Sequence, residues 1–239
     1  MKIIGKKVNN AALEEMVIKD PYKIIEIENP SEDMQVEAVL SNGRVLKYIF
    51  NPSIRVQKAA VKTDGFAIKY IFNPIEEIQK IAVNSTGYAL QHIKKPTEEV
   101  KLAAVQKNGN AIQFIKKPSE LLKIAAVQQN GLALKYIKRP SAAVKITAVQ
   151  QNGLAIQYIK KPTIDQKIAA VSQDGFSLQF IPNPSKIVKI MAIKQNGYAI
   201  QFVNKPSEEL QLLAVKQTMY AVKAIKNPTK KVQDAVRGL

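Results

Sequence analysis

The sequence predicts an all-α fold: an α-solenoid, a superhelical array of about nine 22-residue helix-turn-helix repeats with degenerate capping units at both ends. Three observations predict it. Proline recurs at 30, 52, 74, 96, 118, 140, 162, 184, 206 and 228 without a slip of register. Glycine recurs at 43, 65, 87, 109, 131, 153, 175 and 197, always 13 residues after a proline, until Met219 takes its place. Between these markers one motif is copied: residues 118–139 read PSELLKIAAVQQNGLALKYIKR and residues 140–161 read PSAAVKITAVQQNGLAIQYIKK. A fixed period of this size marks a stack of supersecondary units.

Within residues 118–139, Leu122, Ala125 and Ala126 are apolar at helical spacing, with polar Lys123, Gln128 and Gln129 between and beyond. Ser119 suits the N-cap of this first helix, Pro118 its first turn and Glu120 the positive end of its dipole. Asn130-Gly131 stops it, with glycine expected in the left-handed conformation past the helix end. A shorter second helix follows, apolar at Leu132, Ala133, Leu134, Tyr136 and Ile137, with Lys138 and Arg139 at its negative end. Helices this short are marginal alone, so each must bury its apolar face on the neighbouring repeats. Ala60, Ala82, Ala104, Ala126, Ala148, Ala170 and Ala192 form a column small enough for close helix approach.

Taken in order, the chain reads as a single repeat domain over 1–239. Residues 1–29 form an N-terminal cap, with one helix expected over 8–19, a second element over 22–27, and Asp20-Pro21 where Asn-Gly stands elsewhere. Nine repeats fill 30–227, and 228–239 form one closing helix. Atypical ends are expected of a stack whose terminal units face water.

The run A-V-x-x-N-G-x-A-[LI]-x-[YF]-I, as in residues 126–137, resembles the repeat of the domain-of-unknown-function family numbered 4116. That family is met in bacteria, their phages and large viruses, and the resemblance implies a helical array without implying an activity. The order helix, Asn-Gly turn, helix is also similar to the repeats of TAL effectors, which wrap DNA; their units are longer, and the likeness is one of analogy.

The chemistry of catalysis is missing from the pattern. There is no cysteine, hence no thiol nucleophile, disulfide framework or thiolate metal site. The single histidine, His92, stands in a column otherwise filled by Tyr48, Tyr70, Phe114, Tyr136, Tyr158, Phe180 and Phe202, which marks it as a ring replacement rather than a base. Glu76, Glu77, Glu98, Glu99, Glu208 and Glu209 follow prolines, where the helix dipole accounts for them. Asp64 and Asp174 replace Asn before Gly as turn residues. No nucleophile, base and orienting acid coincide and no phosphate-binding glycine loop occurs. The reading is a non-enzyme without cofactor, metal or small-molecule substrate. No apolar run approaches membrane-spanning length and no signal-peptide core opens the chain, so a cytoplasmic protein is expected.

Charge is the remaining signal. The formal net charge is +17, and residues 1–95 carry 14 Lys+Arg against 11 Asp+Glu while residues 96–239 carry 22 against 8. Two sets of columns hold the excess. One is the joint between repeats: Lys94, Lys95, Lys116, Lys117, Lys138, Arg139, Lys160 and Lys161. The other lies in the first helix, at Lys101, Lys123, Lys145, Lys167 and Lys189, a column held by Gln35, Gln57, Gln79, Gln211 and Gln233 in the outer repeats. Dipole complementarity is the plain reading of the joint residues, which stand with the helix column as candidate nucleic-acid-binding residues. For the helix column, Glu98 and Glu120 stand three residues before Lys101 and Lys123 and neutralise them, whereas Ala142, Ile164 and Lys186 leave Lys145, Lys167 and Lys189 without that partner, Asp165 being a partial exception.

A regular cationic stripe suits a phosphate backbone, because packed helices repeat at roughly 8–10 Å. Nucleic acid, RNA or DNA, is therefore the expected partner. A protein clamped by the solenoid is the alternative, and an anionic membrane is disfavoured because no exposed aromatic or Leu-rich stretch is evident. Glutamines at 91, 113, 157, 179 and 201, and at 128, 129, 150 and 151, have the chemistry to read base edges but are commonly plain solvated faces. The aromatic column is expected in the core, given its neighbours Ala133, Leu134 and Ile137.

Overall fold

The computed structural model describes residues 10–237. Among them eleven α-helices alternate with ten 3-10 helices, and no strand occurs. The chain divides into two compact units, Met1–Pro118 and Ser119–Leu239, at a proline joint. In each unit every repeat packs on the next, α-helix on α-helix and 3-10 helix on 3-10 helix, which is the nearest-neighbour stacking of an α-solenoid.

Seven first helices start with the expected side-chain cap, while Ile75 and Ser185 make no cap hydrogen bond. Ser119 accepts from the Leu122 N–H at 3.4 Å and opens Glu120–Gln129; Ser31, Ser53, Thr97, Ser141, Thr163 and Ser207 cap in the same way. Proline stands one residue ahead of this cap rather than in the first turn. The leading unit consists of the α-helix Asn10–Lys19 and the 3-10 helix Pro21–Glu26, capped by Asp20, and the tail is the α-helix Lys230–Arg237. Residues 8, 9, 238 and 239, which the sequence also assigns to terminal helices, lie outside the described residues.

The Asn-Gly step differs from expectation in an instructive way. Asn130 is extended, with φ −150° and ψ 106°, and its side chain accepts from the Leu132 N–H at 3.0 Å, so it caps the second helix. Gly131 is the first residue of that helix and, like Gly43, Gly65, Gly87, Gly153, Gly175 and Gly197, does not lie in the left-handed region. What glycine provides is space. A Cβ on Gly131 would strike the Ala148 carbonyl of the following repeat, and one on Gly87 or Gly197 would come within 2.5 or 2.7 Å of the Ala104 or Ala214 carbonyl. The glycine and alanine columns are thus two sides of one close approach. At the last 3-10 helix, Met219 is 37% exposed, and the glycine is dispensed with.

The left-handed residues sit instead in the joints: Asn51, Asn73, Arg139, Asn183 and Lys205 have φ between 46° and 51°. Asparagine adopts that conformation readily; arginine and lysine hold it at a cost.

The second helices are 3-10 rather than α. In Gly131–Tyr136 the Ala133 N–H bonds to Asn130 O at 2.8 Å, and the Ile137 N–H closes on Leu134 O at 3.0 Å. Three residues per turn place Gly131, Leu134 and Ile137 on one buried line while Lys135 and Lys138 face out. Repeats are also tied by side chains: Gln173, Gln195 and Gln217 accept from the N–H of Gly153, Gly175 and Gly197 at 2.6, 2.6 and 2.8 Å, and Ser85 from that of Gly65 at 3.2 Å.

Candidate nucleic-acid interface

The joint residues Lys94, Lys95, Lys116 and Lys117 in the first unit, and Lys138, Arg139, Lys160 and Lys161 in the second, are all exposed. They sit at the C-terminal ends of the 3-10 helices, where the helix dipole favours cations. The helix column is more sheltered than a solvent-facing stripe. Lys101 and Lys123 leave only 24% and 19% of their side chains exposed, and Lys145, Lys167 and Lys189 are likewise half-buried. Lys101 pairs with Glu98 at 2.7 Å and Lys123 with Glu120 at 3.5 Å. Among the described residues Lys145, Lys167 and Lys189 have no ion pair, and Asp165 does not supply one.

The two sets of positions, joint and helix column, line grooves of one kind. Three grooves recur in one register, each walled by two successive joints and floored by the column residue between them. The first unit's groove, about 690 Å³, lies between the joints at 69–74 and 92–95 and is floored by Gln79. In the second unit, Lys189 floors a groove of about 320 Å³ beside Asn183 and Asn204, and Gln211 floors one of about 700 Å³ beside Lys205 and Lys226. No carboxylate lines any of the three. By register, Lys101 stands between Lys94–Lys95 and Lys116–Lys117, and Lys145 between Lys138–Arg139 and Lys160–Lys161.

Where the column residue is glutamine it has a fixed task. Gln57, Gln79 and Gln211 donate to the carbonyls of Pro52, Pro74 and Pro206 at 2.8, 2.8 and 3.0 Å, tying helix to joint. Several members of the other glutamine sets are also engaged. Gln113, Gln157, Gln179 and Gln201 fold back onto Asn110, Leu154, Phe176 and Tyr198 carbonyls at 2.9–3.0 Å. Gln151 accepts from the Gly131 N–H. A base-reading role would cost these bonds.

The aromatic column departs from the expected core placement. Tyr48, Tyr158 and Phe180 are exposed and the rest half-buried, His92 included among the exposed. The rings pack edge-to-face on the preceding repeat: Phe66 with His92, Tyr88 with Phe114 and Phe176 with Phe202, each at 5.9 Å. His92 is thus a ring replacement, and partial desolvation of its ring, with the Lys69 charge nearby, holds its imidazole below the ordinary value and neutral at pH 7. Lys47, Lys69 and Lys135 lie 4.3–4.8 Å from the ring centres of Tyr48, Tyr70 and Tyr136. Tyr70, His92 and Phe202 line the grooves.

Two features went unread in the sequence. Phe50 and Phe72, two residues before their prolines, are 97% and 94% exposed, so the surface does carry bare aromatics. They occupy the joint position that is Lys94, Lys116, Lys138 and Lys160 in the following repeats. The acidic residues after the prolines also bridge repeats: Lys58 to Glu77 at 2.6 Å, Lys80 to Glu99, and Lys186 to Glu209 at 2.7 Å.

Among the described residues no His, Cys, Asp and Glu cluster has metal-binding form, and no helix is long and apolar enough to cross a membrane. No family model, curated protein or solved structure matches the chain, so the functional reading rests on this geometry alone.

Proposed function

We propose that the protein is a non-catalytic scaffold that binds a polyanion, nucleic-acid backbone first of all, at the joints between the repeats of each unit. The observation that carries this reading is the recurring groove: lysines line each copy, from the joints in two and from the helix column at Lys189 in the third, and carboxylates are absent. A phosphate seated there meets exposed amines on the walls, Lys94 and Lys95 or Lys205 and Lys226, and at Lys189 a half-buried amine below without a competing acid. Neutralising several phosphates releases counterions, which supplies affinity without sequence reading. A cysteine-free chain of this kind fits the reducing cytosol.

One observation favours a second reading. Ile124, Ile146, Ile168 and Ile190 form a half-buried apolar line in the second unit, and Ile190 borders a shallow groove of about 420 Å³ with Leu212 and Leu213. A protein partner would dock there. The test is a titration of the protein with labelled single-stranded and duplex oligonucleotides between about 50 and 200 mM salt. The nucleic-acid reading expects affinity that falls linearly in log K against log salt, with a slope of several units. Absence of binding at the lowest salt ends it and leaves the protein scaffold.

A further inference from the structure

Phe50 and Phe72 hold nearly full exposure one repeat apart, with no packing that repays it. A single exposed phenylalanine needs no explanation; two at one register position, where the next four repeats carry lysine, do. Phe72 stands in the first unit's groove with Lys69, Lys94, Lys95, Tyr70 and His92. That groove therefore combines three amines, two half-exposed or exposed rings and one bare ring. It has no acid.

We propose that the first unit binds single-stranded nucleic acid, with bases stacked on Phe72 and Phe50 while Lys94 and Lys95 hold the backbone. This inference rests on the nucleic-acid reading and deepens it by choosing the strand state. Stacked duplex bases present only their edges and phosphates, so a ring pointing into solvent finds no face to meet. Unpaired bases offer a π-face at every nucleotide, and a positively charged groove with aromatic platforms is the recurrent solution for holding them. The charge of the groove selects this occupant over an apolar peptide, which has no use for three amines without a counter-charge. His92, kept neutral by its surroundings, adds a flat ring rather than a further charge.

The experiment compares the parent with the Phe50→Asn, Phe72→Asn double variant. Asn204 already stands at this position, so the fold accepts it. Binding is measured to an oligothymidylate of about 20 nucleotides and to a duplex of equal length, and sedimentation is measured with phosphatidylserine-containing vesicles. Stacking is worth a loss of about five-fold or more per ring. The proposal expects the oligothymidylate affinity to fall by at least about 20-fold with an unchanged salt slope, and the duplex affinity to stay as it was. Equal small changes for both nucleic acids overturn the stacking assignment while the parent's salt-dependent binding keeps the polyanion reading alive. Failure of the parent to bind either one removes both. Vesicle binding that the double variant alone loses, with oligothymidylate binding intact, would assign the two rings to a membrane surface instead.

Discussion

The two units share one backbone plan and spend their charge differently. In Met1–Pro118, 18 Lys+Arg face 13 Asp+Glu, a net of +5; in Ser119–Leu239, 18 face 6, a net of +12. Seven of the first unit's 15 described cations make ion pairs. Arg55 reaches Asp33 at 2.7 Å, Lys58 reaches Glu77 at 2.6 Å, and Lys80 is shared between Glu76 at 2.8 Å and Glu99. Six residues after the proline, where Lys58 and Lys80 make these pairs, the second unit carries Ile124, Ile146, Ile168, Ile190 and Leu212. Three residues before Lys145, Lys167 and Lys189, where Glu98 and Glu120 stand for Lys101 and Lys123, the second unit has Ala142, Ile164 and Lys186, and among the described residues these three lysines make no ion pair. The difference teaches that stacking does not depend on the ion pairs, since both units stack alike without them in common. What varies between units is how much cationic surface is left for a partner.

The largest expected effect tests the shared part of this comparison. Gly87→Ala and Gly131→Ala each place a methyl against a backbone carbonyl of the following repeat, and overpacking of this kind costs about 3 kcal/mol. Chemical denaturation of both variants should show comparable losses. A small gain, the usual result of replacing glycine within a helix, would refute the close approach. A loss in one unit only would show that the two do not share it.

A smaller effect separates the units. Glu99 is held below the ordinary carboxylate range by the Lys80 hydrogen bond and charge, and Lys80 is raised in turn, first by Glu76 and then by Glu99. A carboxylate depressed in the folded state adds stability above its unfolded value and loses it as pH falls through the folded one. Both side chains are well exposed, so the contribution is slight and screened by salt. Melting of the parent and of Lys80→Gln, Glu99→Gln should differ slightly at neutral pH and converge below the carboxylate range. A gap that persists in acid would mean the pair acts through packing.

Much of this was legible because a repeat shows each position many times over. Proline and glycine fixed the register, and Ser119, Glu120 and the alanine column announced caps and close packing. The role of Gly131 was not legible, since its reason is the Ala148 carbonyl of another repeat and local rules point to a left-handed turn. The second helix hid its type for a related cause: Gly131, Leu134 and Ile137 are three apart, a spacing that α and 3-10 helices both allow over six residues. At the site, the lysine columns could be counted but not joined. Only the fold brings the Lys189 position to the mouth between two joints, and only the fold shows that Phe50 and Phe72 find no cover.

The central claim is that cations without acid partners hold a phosphate backbone, and salt dependence tests it most directly. Lys145, Lys167 and Lys189 are replaced together by Gln, the residue that at 57, 79 and 211 donates to the preceding proline carbonyl, so the stack is kept. In a control, Lys58→Gln with Glu77→Gln and Lys80→Gln with Glu99→Gln remove three ion pairs, Lys80–Glu76 among them, at no change in net charge. Each lost phosphate contact flattens log K against log salt by about 0.7–0.9, so the triple variant should lower the slope by about 2–3 while the control keeps the parent's value. An unchanged slope in the triple variant, or an equal fall in the control, would contradict the account.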